Sequence, residues 1–111
     1  MDFDEARQHA LRIRERYDEL NLRERGRTWT PEEYMLGFVG DVGDLAKLVM
    51  AAAGTRAARH SPGSLEHELA DCLWSVLVLA DLHGVDLSAA FARTMAELDA
   101  AFEAAPESDT P

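Results

Sequence analysis

This sequence of 111 residues predicts an all-α fold, a four-helix bundle, on three observations. Apolar residues recur three and four apart in four segments, as they do on one face of a helix. No segment alternates apolar and polar residues in the manner of a strand. Capping residues and glycines also bracket the periodic segments where helices should begin and end.

The first segment carries Phe3, Ala6, Ala10, Ile13, Tyr17 and Leu20 as one stripe on an otherwise charged helix, and Gly26 is placed to stop it. Seven of the eleven basic residues lie between Arg7 and Arg27, interleaved with acids, which reads as a solvated face rather than a binding patch. The second segment has the strongest start signal. Thr30 suits the N-cap, Pro31 the first helical position and Glu33 the far side of a capping box. It runs to about Ala53, with Gly54 as terminator. Gly37, Gly40 and Gly43 recur inside it, each costing on the order of 1 kcal/mol relative to alanine. Close approach of another helix, or room for a ligand beside Asp41, would account for them equally well. A loop, TRAARHSPG, then holds Arg56, Arg59 and His60. The third helix begins near Ser64 and ends at His83-Gly84, with Leu69, Leu73, Val76, Leu77 and Ala80 as its apolar set. Asp86 or Ser88 caps the fourth, which carries Ala90, Phe91, Met95, Leu98 and Phe102 and stops before Pro106.

Composition narrows the function. One soluble domain over residues 1–105 with a disordered acidic tail, 106–111, is the expected organisation. No stretch approaches the length of a membrane span, and the charged N-terminus is unlike a signal peptide. The lone Cys72 excludes an internal disulfide, fits a reducing cytoplasm, and in its apolar run reads as an inert thiol. A formal charge of −10 argues against nucleic acid as a partner. It also opposes an anionic substrate, unless metal ions reverse the local sign.

The chemistry sits in two acidic couplets. Asp41-Val-Gly-Asp44 lies within LGFVGDVGDLAKL, and Glu68-Leu-Ala-Asp71 within LEHELADCLWSVL. Acids three apart share one helical face. Four of them among core residues are costly to bury without a cation, and a hard divalent ion accepts such oxygens. The bland alternative is a solvated acidic face. His67 reads as a surface histidine, because neighbours on a helix diverge. His60 and His83 also read as non-ligands, and Trp74 as a packing residue. A di-iron carboxylate bundle is disfavoured, since its Glu-x-x-His motif is missing where Asp71 follows Glu68.

These couplets resemble the MazG-like, all-α nucleoside triphosphate pyrophosphohydrolases, which carry E-x-x-E on one helix and E-x-x-D on the next. GDVGDLAK is similar to that family's E-V-G-E-L-A-K, and ELADCLW to its E-L-A-D-V-L-W, with 23 residues between the couplets. Trp29-Thr-Pro-Glu and Gly84-Val-Asp-Leu also recur there, so the likeness spans Arg27 to Leu98. It implies Mg²⁺-dependent hydrolysis, with Mn²⁺ as a substitute, of a nucleoside triphosphate to the monophosphate and pyrophosphate. By position, Asp41, Asp44, Glu68 and Asp71 would be the metal ligands and catalytic acids, one of them orienting water. It also implies a homodimer or homotetramer with nucleotide pockets at subunit contacts. Departures are visible. Asp41 and Asp44 stand where glutamate is usual, and Gly40 where many members have an acid. Thr94 and Leu98 replace the lysine and asparagine that hold phosphates, and Ser75 replaces a tyrosine. Lys47, Arg56, Arg59 and Arg93 are the candidates to hold phosphates instead, and Trp29 to stack on a base. Lys47 has an intrahelical ion pair with Asp44 as its alternative. The departures also admit a second class of function: a domain without turnover that binds nucleotide or mediates assembly.

Overall fold

The computed structural model describes residues 1–54 and 64–105. Among them lie four helices and no strand: α1 (Phe3–Arg25), α2 (Pro31–Ala52), α3 (Leu65–Leu82) and α4 (Leu87–Ala104). The all-α expectation holds, and the helix ends fall where the capping chemistry puts them. The Asp2 carboxylate accepts the Glu5 N–H at the start of α1, and Gly26 closes the helix in the left-handed region (φ 77°), its N–H bonded to the Leu22 carbonyl. At α2 the Thr30 hydroxyl accepts the Glu33 N–H at 3.2 Å, while the Glu33 carboxylate accepts the Thr30 N–H at 3.0 Å. Arg27 forks onto the same carboxylate at 2.6 and 2.9 Å. That bidentate contact, helped by the Thr30 N–H, holds the Glu33 pKa down at about 2. Ser64 caps α3 and Asp86 caps α4.

Packing is carried by α2 against α3, and to a lesser extent by α1 against α3. Ala10, Tyr34, Leu77 and the wholly enclosed Val78 form the apolar core. Polar ties fix the three helices to one another. The Trp74 indole donates to the Ala10 carbonyl at 3.0 Å, linking α3 to α1. The Tyr34 hydroxyl donates to Asp18 at 2.9 Å, linking α2 to α1, and burial followed by that contact pushes the phenol up to about 12. Arg14 reaches Asp81 at 2.9 Å and Asp18 at 3.7 Å, so α1 is bound to α3 by charge as well.

The fourth helix behaves differently. It leaves α3 at 107°, buries none of its residues, and exposes Phe91 by 59% and Phe102 by 79%. Leu69 and Leu73, expected in the core, are also more than half exposed. Within one chain α1 and α2 occupy the packing surface of α3, and among the described residues nothing covers these faces. The chain has a surface of 8309 Å² and a radius of gyration of 18.0 Å. A compact monomer of this mass would show about 6,100 Å² and about 13 Å. Among the described residues no single helix is long and apolar enough to cross a membrane. The glycines of α2 are not explained by close helix approach within the chain, because a Cβ at Gly37, Gly40 or Gly43 would meet no atom within 4 Å.

Thr30→Ala should cost about 1 kcal/mol by removing the α2 cap. Urea denaturation at fixed protein concentration measures this.

Candidate metal centre

Because α2 and α3 pack side by side, the acids at helical spacing on each converge on their seam. The carboxylate oxygens of Asp41, Asp44 and Glu68 can all lie within 4.8 Å of one another, and so can ligand atoms of His67, Glu68 and Asp71. Glu68 belongs to both groups. It is only 4% exposed, and among the described residues its Oε2 has no hydrogen-bond partner. Burial raises the Glu68 pKa, and Asp71, Asp44 and Asp41 raise it further. Asp41 is raised by burial first and then by Asp71 and Asp44. Both shifts report negative groups gathered where water screens them poorly.

This donor set fits a divalent cation. A nearly enclosed carboxylate oxygen without a donor is costly, and the groups around it bring further acceptors. A hard ion taking several carboxylate oxygens, with its remaining positions open to water or phosphate, satisfies those acceptors together. Cys72 lies close enough for the same acids to act on it. Burial, then Asp41, Glu68 and Asp71, raise its pKa, so the thiol stays protonated and unreactive.

Beside the acids is an aromatic cleft of about 270 Å³. Tyr34, Gly37 and Asp41 enter it from α2, Asp71, Trp74 and Ser75 from α3, and Tyr17, Trp29 and Glu33 complete the wall. The Tyr17 and Trp29 rings stack at 5.7 Å, and Tyr34 meets Trp29 edge-on at 5.3 Å. Asp41 and Asp71 thus belong to the cleft as well as to the acidic cluster.

The other candidates are placed as follows. Trp29 lines the cleft. Lys47 is exposed one turn beyond Asp44, and among the described residues no ion pair joins the two. Arg56, Arg59 and His60 lie outside the described residues. Arg93 is exposed on α4, away from the cleft wall. Trp74 serves both packing and cleft. Sequence reasoning missed Tyr17, Tyr34 and the cleft-facing Ser75. The signal for Tyr34 was present, since Tyr34, Gly37 and Asp41 are spaced three and four apart and share a helical face. His67 is exposed, as expected of a surface residue, yet it does not stand apart from the acids. Its Nε2 lies 3.2 Å from Asp71 Oδ2, one helical turn away.

Fold and site together define an all-α domain with paired acidic helices. Residues 29–100 match the family described as MazG nucleotide pyrophosphohydrolase domain. The chain belongs to that family. Comparison with curated proteins and with solved structures gives no significant match.

The raised carboxyls set a sign for pH dependence. With Asp41 and Glu68 above their ordinary values of 3.8 and 4.5, the folded state holds more protons than the unfolded state just above those values. Stability of metal-free protein therefore falls as pH rises through that window. Glu33, held low, acts in the opposite sense only below its ordinary value of 4.5. Thermal melts in chelator, scanned upward in pH from the ordinary value of 4.5, should show this decline, and Glu68→Gln should weaken it.

Proposed function

We propose that this chain is a Mg²⁺-dependent nucleoside triphosphate pyrophosphohydrolase that clears unwanted nucleotides, deoxy forms included, by hydrolysing them to monophosphate and pyrophosphate. The observation that carries the reading is the unpartnered, buried Glu68 oxygen at the centre of four acids in a chain of this family. Asp41, Asp44, Glu68 and Asp71 would hold the metal. When bound, the ion offsets the triphosphate's charge and polarises its phosphoryl oxygens. The cleft volume lies just under the roughly 300–1,000 Å³ typical of pockets for drug-sized ligands, which suits one planar base better than a whole nucleotide. Trp29 and its neighbouring rings offer the base faces to stack on. Asp41 and Asp71 line the way from cleft to acids, so a base held there directs its phosphates toward the seam. One of the four acids, with Asp41 at the outer end of its couplet as the candidate, accepts the proton of the water that attacks the α-phosphorus instead of ligating the metal. Lys47, Arg56 and Arg59 hold the outgoing phosphates, and free Cys72 suits a reducing cytoplasm.

We infer further that the working unit is a homodimer or homotetramer. Among the described residues α4 buries none of its side chains and Leu69 and Leu73 are more than half exposed, while a standard interface removes about 800 Å² from each partner. The apolar faces of α4 and of Leu69 and Leu73 are the surfaces such a contact would cover. Docking α4 on a second copy also offers Arg93 a route to a neighbour's phosphates, which its own chain does not provide. Two observations favour the reading without turnover: Thr94 and Leu98 stand where the family has phosphate-holding groups, and Arg93 lies away from the acids.

Pyrophosphate release from a panel of nucleoside triphosphates, with and without Mg²⁺, separates the readings. Metal-dependent release supports the enzyme, and none at high concentration of folded protein supports the binding module. Glu68→Ala and Asp71→Ala should each lower turnover at least about a hundredfold with the helical circular dichroism intact. Neutralising Arg56 and Arg59 should raise the Michaelis constant. Phe91→Glu with Phe102→Glu should shift sedimentation to the monomer, and a wild-type monomer would overturn the assembly.

A further inference from the structure

We propose that His67 is a metal ligand. With Glu68 and Asp71 it forms a second cation position, one containing nitrogen, which shares the Glu68 carboxylate with the Asp41–Asp44 position and favours Mn²⁺ over Mg²⁺. The inference rests on the metal reading given above and adds a residue and an ion preference to it.

Three observations converge. The first is distance. Two neighbouring ligands of an octahedral ion at about 2.2 Å lie roughly 3.1 Å apart, and His67 Nε2 is 3.2 Å from Asp71 Oδ2. That pair already has the spacing of ligands on one ion. The second is the buried Glu68. Its Oε2 has no hydrogen-bond partner among the described residues, and Glu68 is the residue common to both ligand groups. A simple His67–Asp71 ion pair leaves that oxygen unserved, whereas an ion held by all three residues satisfies it. The third is placement. His67 occupies the first turn of α3, and its backbone N–H is held by the Ser64 cap at 3.1 Å. The imidazole therefore projects from a capped turn, on the same helix as its two acidic partners.

The ligand type sets the preference. An all-oxygen position suits Mg²⁺, while imidazole favours first-row transition ions. A site of one imidazole and two carboxylates should therefore raise Mn²⁺ affinity relative to Mg²⁺. His67 remains 65% exposed along its side chain, which leaves the far side of the ion open to water or to a phosphate oxygen.

Binding of Mn²⁺ and Mg²⁺ to the full chain, with pulsed electron paramagnetic resonance of the Mn²⁺ form, tests this without any substrate. The wild type should show a ¹⁴N coupling to Mn²⁺. In His67→Gln that coupling should vanish, the Mn²⁺ dissociation constant should rise about tenfold, and Mg²⁺ affinity should stay within about twofold. Bound Mn²⁺ with no nitrogen coupling, or a coupling that survives His67→Gln, overturns the role of His67 and leaves the carboxylate centre standing. Wild-type protein that binds neither ion overturns both readings.

Discussion

A carboxylate enclosed between two helices, with one oxygen lacking any donor, is the constraint around which this domain is organised. Glu68 sits at the α2–α3 seam, the most extensive packing surface in the chain. A sequence selected only for stability would place an aliphatic residue there, because an uncompensated buried charge is strongly destabilising. Asp41, Asp44 and Asp71 around it deepen the conflict instead of relieving it. The helices must therefore be held together by something else. The structure shows what does so: the enclosed Val78 and Leu77, the indole bond from Trp74 to Ala10, the Tyr34–Asp18 contact and the Arg14 bridge to Asp81. An ion at the seam would convert the conflict into added stability, by an amount that grows with its concentration relative to its dissociation constant.

The same periodicity that brings the acids together also builds the cleft. On α2 the residues Tyr34, Gly37 and Asp41 follow one face. On α3 Asp71, Trp74 and Ser75 do the same. Each helix thus presents a ring and a carboxylate on one face, so that an aromatic wall passes directly into a negative patch. Gly37 leaves the wall open where a side chain would narrow it. This continuity makes the net charge of −10 compatible with a polyphosphate, since cations at the seam reverse the sign where the phosphates would lie.

Helix boundaries were legible in the sequence because each rests on local chemistry. Thr30, Pro31 and Glu33 specify the start of α2 by themselves, and Gly26, Gly54 and Gly84 adopt the left-handed conformation that ends helices. The acid couplets were legible for the same reason, since three-residue spacing is a local property. Tyr17 and Tyr34 were not legible as cleft residues. Their role depends on how α1 lies across α2 and α3, and a stripe pattern cannot specify that. His67 was misleading for a related reason. Adjacent side chains on a helix do diverge, but the relevant neighbour of His67 is Asp71, a full turn away. The glycines of α2 suggested either a close helix or room for a ligand; among the described residues no atom lies within 4 Å of a Cβ placed there, and Gly37 lines the cleft.

The fourth helix shows why periodicity alone does not define a core. Phe91, Met95, Leu98 and Phe102 repeat at helical spacing and would line the centre of a closed bundle, yet all four are exposed here. Amphipathic patterning states that a face is to be covered, and is silent about which chain covers it. For a chain this acidic the distinction matters. Two copies carrying −10 each repel through water, so any contact between them must come from apolar surface with few charges. The faces of α4 and of Leu69 and Leu73 meet that requirement, whereas the charged outer face of α1 does not. Cations at the seam would lower the charge of each copy, so ion binding and assembly would act in the same direction.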